Sequence, residues 1–129
     1  MQKSKALKTY LIVSGILLTV IGGATLAIPV DMKASAGIDI AGNISVINDV
    51  RGTGALILGI ALITIIGAFN QKLTYTSSII SALLFVSIGI GRLTSIALDG
   101  MPVDGLLKAT GLELVLGLIG VILFTRSKK

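Results

Sequence analysis

The chain contains no cysteine, no histidine and no tryptophan, and only two of its 129 residues are proline. Without cysteine there is no disulfide framework, thiol redox centre or thiolate metal site. Without histidine, a zinc or haem site would have to form without its commonest ligand, so no resident metal and no cofactor is expected. Charge is scarce as well: 13% of residues are charged, against about a quarter in a typical soluble domain. Hydrocarbon dominates instead, with 53% hydrophobic residues and a mean hydropathy of +1.00.

The net charge of +5 does not point to nucleic acid. The basic residues gather near the two ends of the chain, as they do beside a membrane, and no stacking aromatics or nucleic-acid motif accompany them. Gly52-x-Gly54 is followed by no Lys-Ser or Lys-Thr pair, which excludes a P-loop.

Four apolar runs divide the chain: Thr9 to Ile28, Val50 to Phe69, Leu73 to Leu98 and Leu106 to Thr125. Each covers about 30 Å of hydrocarbon at 1.5 Å per residue. The first is longer than a typical signal-peptide core, so a retained span is the expected reading. The predicted fold is all-α: residues 1–129 form a single integral membrane domain, a polytopic four-helix bundle running up-down-up-down. Lys3, Lys5, Lys8, Lys72, Arg126, Lys128 and Lys129 fall at one end of this bundle with no acidic residue among them. The excess of positive charge on cytoplasmic flanks then puts both termini in the cytoplasm. Tyr10, Phe69, Tyr75 and Phe124 mark the same end and are expected to form an interfacial girdle.

All six acidic residues fall at the other, outer end. Asp99-Gly100-Met101-Pro102-Val103-Asp104-Gly105 reads as a tight turn, with Asp104 expected to cap the fourth span. The outer loop, residues 29–49, is long for a compact domain. Its Ile38, Ile40, Ile44, Val46 and Ile47 fit either a short element lying on the bilayer surface or over the bundle mouth, or a plain connector. Asn48 or Asp49 is expected to cap the second span. Glycine pairs at helical spacing (Gly15 with Gly22, Gly52 with Gly59, Gly117 with Gly120) predict close helix packing.

Ionisable residues within the spans carry the functional signal, because they are costly in hydrocarbon. Folding the last two spans about Met101 and Pro102 places Arg92 and Glu113 at matching depth, each about 10 Å from its helix end. A lone charge there costs roughly 2.5–3.5 kcal/mol, and an opposite charge about 4 Å away recovers roughly 4 kcal/mol at an effective dielectric near 20. An Arg92–Glu113 pair is expected on that ground. Arg51 is expected either to snorkel outward to lipid phosphates or to turn inward to Glu113 or Asp99. Lys108, in the first turn of the last span, is expected to snorkel. The candidate cluster is Arg51, Arg92, Glu113, Asp49 and Asp99. It is either an ion-pair staple that fixes helix order or a site for anionic or headgroup ligands, since the planar guanidinium suits phosphate and carboxylate.

The segments Asn48-Asp49-Val50-Arg51-Gly52-Thr53-Gly54-Ala55-Leu56 and Gly91-Arg92-Leu93-Thr94-Ser95-Ile96-Ala97-Leu98-Asp99-Gly100-Met101-Pro102, with Leu112-Glu113-Leu114, resemble the bacterial four-helix membrane proteins of the domain-of-unknown-function family 4345. Thr53 stands where the family carries an aromatic. The resemblance implies a bacterial inner-membrane protein and transfers no activity.

Three functions compete. The first is a non-catalytic protein holding a lipid headgroup, a small amphipathic molecule or a partner helix of another membrane protein at the Arg/Glu cluster. The second is a membrane enzyme with Glu113 as general acid/base. The third is a small dimeric transporter, which the lack of charge in the cytoplasmic halves of the spans disfavours.

Overall fold

Proline, asparagine and glycine set the helix boundaries. The computed structural model describes residues 5–127 as five helices: α1 (Lys5–Ala27), α2 (Pro29–Ser35), α3 (Ile44–Phe69), α4 (Gln71–Asp99) and α5 (Asp104–Ser127). No strand occurs among the described residues. α1 stops at Ala27 because Pro29 has no N–H to continue the backbone ladder, and the same proline opens α2, where its fixed φ suits a first helical position. A single residue, Asn70, joins α3 to α4. Its N–H donates to the Ile66 carbonyl at 2.9 Å, and its side-chain oxygen accepts from the Lys72 N–H at 2.9 Å, so one asparagine closes one helix and caps the next. Gly100, at φ +98, terminates α4 in a conformation that favours glycine.

Two boundaries differ from the sequence reading. α3 starts at Ile44 rather than Val50, and Asn43 is the cap, its Oδ1 accepting from the Val46 N–H at 3.1 Å. Asn48 and Asp49 lie inside the helix. Hydropathy marks the stretch that dissolves in hydrocarbon, whereas this helix continues past it. Asp104 is likewise the first residue of α5 and not its cap; the Val103 carbonyl accepts from the N–H groups of Leu106 and Leu107 at 3.0 and 3.2 Å.

α1, α3, α4 and α5 are each long and apolar enough to cross a membrane. Val20, Leu56, Leu62, Leu83 and Leu118 project from them largely exposed, as a lipid-facing surface requires. α1 packs mainly on α3, α4 mainly on α5, and α3 on α4. The α1–α3 contact is backbone to backbone: a Cβ at Gly22 would lie 2.7 Å from the Leu58 nitrogen, and one at Gly54 2.7 Å from the Leu26 nitrogen. Gly52 and Gly59 do not pack this way. Nothing lies within 4 Å of either Cβ position, because the α1-facing side of α3 carries Gly54.

The buried hydrophobic residues concentrate toward the Asn70 end of the bundle. Leu7, Tyr10, Leu11 and Ala68 form one cluster and Leu18, Ala61 and Phe85 another. Tyr10 is therefore not part of an interfacial girdle. It is 6% exposed and donates to the Leu116 carbonyl at 3.1 Å, over the space that Gly120 leaves open. The other three aromatics stay at the surface of that end, with Tyr75 against Phe124 at 5.3 Å between centroids and the Lys8 ammonium 5.1 Å from the Phe69 ring.

The same half buries many hydroxyls. Thr74, Ser77, Ser78 and Ser81 recur on one side of α4 at helical spacing, and all are buried with Ser14 and Thr64. Most are satisfied by backbone carbonyls: Thr74 donates to Gly67 at 2.8 Å, Ser77 to Ile63 at 2.5 Å, Ser78 to Thr74 at 2.7 Å and Thr64 to Ile60 at 2.7 Å. Ser14 Oγ is the exception, fully buried with no hydrogen bond among the described residues. An unsatisfied buried hydroxyl costs about 1–3 kcal/mol. Ser14→Ala is therefore expected to stabilise the protein by about 1 kcal/mol, read as a higher unfolding midpoint in detergent; a lower midpoint would show that the hydroxyl is satisfied.

Candidate functional site

The structure brings Arg92 of α4 and Glu113 of α5 together and disperses the rest of the expected cluster. Contacts across the α4–α5 pair step down one helix as they step up the other. Gly120 lies by Ala82, Gly117 by Val86, Gly89 by Leu114, and then Arg92 by Glu113. The glycines let the two backbones approach, which carries the charged residues into reach. Arg92 Nε donates to Glu113 Oε1 at 2.5 Å, the ion pair found among the described residues. The Glu113 side chain is 14% exposed and that of Arg92 34%. Only Nε is engaged, so the two Nη groups of Arg92 and Oε2 of Glu113 have no partner among the described residues.

Asp99 sits about two turns further toward the end of α4, where its Oδ2 accepts from Ser95 Oγ at 3.3 Å. Asp49 is exposed and makes no ion pair among the described residues; its backbone carbonyl accepts from Thr53 Oγ1 at 3.1 Å. Arg51 turns neither to Glu113 nor to Asp99. Its Nη1 donates to the Leu26 carbonyl at 2.5 Å, in the last turn of α1. Carbonyls there lack helical donors and carry the negative end of the helix dipole, so a guanidinium within reach is attracted to them. Lys108 is exposed. The acidic residues do not gather into a group of three or more able to hold a metal ion among the described residues.

Beside the ion pair, α4 and α5 enclose a groove of about 340 Å³, lined by Arg92, Ser95 and Thr110 with Ile88, Ile96 and Leu106 among its apolar walls. Ile88, Arg92 and Ser95 extend the α4 stripe of Thr74, Ser77 and Ser81 that packs toward α3 nearer Asn70. No α3 residue lines the groove, so the stripe is open at this height. The connector caps this end. A Cβ on Gly105 would lie 3.0 Å from Ala36 Cα, which seats the turn after α2 on the start of α5. The expected choice between a short element and a plain connector resolves as a helical turn, α2, with Ile40 buried behind it.

Sequence reasoning missed Ser95, Thr110 and the buried hydroxyls. The spacing of Thr74, Ser77, Ser78 and Ser81 was a usable signal for the last group, since four hydroxyls on one side of an apolar helix mark a protein-facing side. No local signal marks Ser95 or Thr110, which become neighbours only through the α4–α5 pairing.

Four apolar helices with an embedded ion pair define a small polytopic helical membrane protein. The chain belongs to the family described as Domain of unknown function (DUF4345), whose profile matches residues 6–124, nearly the whole chain. No curated protein and no solved structure matches it.

Proposed function

We propose that this is a non-catalytic protein of the bacterial inner membrane that holds a lipid headgroup or a small amphipathic molecule in the groove beside Arg92. In this reading residues 1–129 are one membrane domain with antiparallel up-down-up-down spans and both termini in the cytoplasm, so that α2 and the groove face the outer leaflet. The observation that carries it is the partly exposed Arg92 guanidinium. It is anchored through Nε alone, with its remaining N–H donors directed to no group among the described residues, at a groove whose other walls are mostly apolar apart from Ser95 and Thr110. Donors of this kind in hydrocarbon favour phosphate or carboxylate, and apolar walls suit acyl chains.

A staple needs the charges but not the groove, and removing both charges separates the two roles. The double variant Arg92→Leu/Glu113→Leu is expected to remain folded and to lose, by about tenfold or more in affinity, the lipid that the wild-type protein carries through purification, as read by native mass spectrometry. Unchanged retention would leave the pair a staple and the groove empty of function.

A further inference from the structure

Building on the groove proposed above, we infer that the headgroup held there is a phosphate diester bearing a primary ammonium, the chemistry of phosphatidylethanolamine, and not a net anion. Arg92 is already neutralised by Glu113 at 2.5 Å. A bare anion would therefore leave one uncompensated negative charge at a depth where such charges are costly. The surroundings are also acidic: this end of the bundle carries all six acidic residues against four basic ones, Lys33, Arg51, Arg92 and Lys108. Arg51 is committed to the Leu26 carbonyl.

The polar groups are arranged in the order such a headgroup needs. Arg92 lines the groove with its Nη donors bonded to no described residue, and these take the phosphate. Ser95, one turn nearer the end of α4, also lines the groove, and its Oγ donates to exposed Asp99 one turn beyond it. The Asp99 carboxylate, with Oδ1 unpartnered among the described residues, takes the ammonium. Ile88, one turn below Arg92, begins the apolar wall along which an acyl chain runs. The zwitterion adds no net charge to the already neutral Arg92–Glu113 pair, the one remaining negative charge belongs to exposed Asp99, and the apolar wall assigns the headgroup to a lipid in place of a soluble phosphoester.

The test titrates the purified full chain with phosphatidylethanolamine, phosphatidylglycerol or phosphatidylcholine of matched acyl chains, read by native mass spectrometry, with soluble O-phosphoethanolamine as competitor. Phosphatidylethanolamine is expected to bind about tenfold more tightly than either of the others. Asp99→Asn, at an exposed site, should reduce that preference to about twofold or less without abolishing binding. Phosphatidylglycerol bound as well as phosphatidylethanolamine, with binding still dependent on Arg92, would overturn the zwitterion and leave the groove standing. Phosphatidylcholine bound equally would overturn the primary ammonium. Competition by millimolar O-phosphoethanolamine would overturn the assignment to a lipid. Binding of all three lipids that ignores Arg92→Leu/Glu113→Leu would remove the groove itself.

Discussion

Replacing Glu113 with leucine is expected to destabilise the bundle by about 3 kcal/mol, at the low end of what breaking a buried ion pair costs. The low end applies because the Arg92 side chain is about a third exposed and can move its charge partly toward the interface. The loss arises less from the missing attraction than from the guanidinium left without its carboxylate in apolar surroundings. Arg92→Leu should cost a similar amount for the mirror-image reason. The double variant should sit within about 1 kcal/mol of wild type, because two leucines leave no charge to desolvate. A double-mutant cycle on unfolding in mixed detergent micelles measures this directly: the expected coupling is several times larger than an exposed pair gives. Losses that simply add would show that the two side chains are solvated independently.

The second large effect is expected at Gly54. Valine there should cost about 3 kcal/mol or more, and the same substitution at Gly52, two residues away on the same helix, about 0.5 kcal/mol or less. Both changes introduce the same β-branched side chain into α3, so intrinsic helix preference cancels between them. Their surroundings differ. The Gly54 Cβ would meet the Leu26 nitrogen at 2.7 Å and the Thr25 carbonyl carbon at 3.0 Å, both backbone atoms that cannot rotate aside, whereas Gly52 faces open space. α1 would have to move off α3, which would also pull the Leu26 carbonyl away from Arg51. Comparing unfolding midpoints of the two variants checks the prediction, and equal destabilisation would mean that α1 and α3 do not meet at Gly54.

Hydropathy made the four spans legible because each must bury an unbroken apolar stretch. It misplaced the start of α3, since Asn48 and Asp49 interrupt the apolar run without interrupting the backbone ladder. Arg92 and Glu113 could be paired from sequence because both lie a similar distance from one short turn, and a hairpin converts equal distance into equal depth. Arg51 could not be placed. Its partner is a main-chain carbonyl freed where α1 ends before Pro29, and no side-chain pattern reports a carbonyl. Tyr10 was misread because an aromatic near a span end serves equally well at an interface or in a core. The deciding feature, the space above Gly120, lies more than a hundred residues away in the chain.

The Arg92–Glu113 contact has a consequence for how the chain enters a bilayer during synthesis. The hydroxyls of Thr64, Ser78 and Thr110 bond to carbonyls within their own helices, so those groups are satisfied before any neighbour arrives. The arginine of α4 has no such local remedy, and its carboxylate emerges from the ribosome only after the turn at Gly100. A translocon releasing α4 alone would deliver an uncompensated cation to the lipid. The energetically cheaper path holds α4 at the lateral gate until α5 follows, and the last two spans then partition as one neutral hairpin.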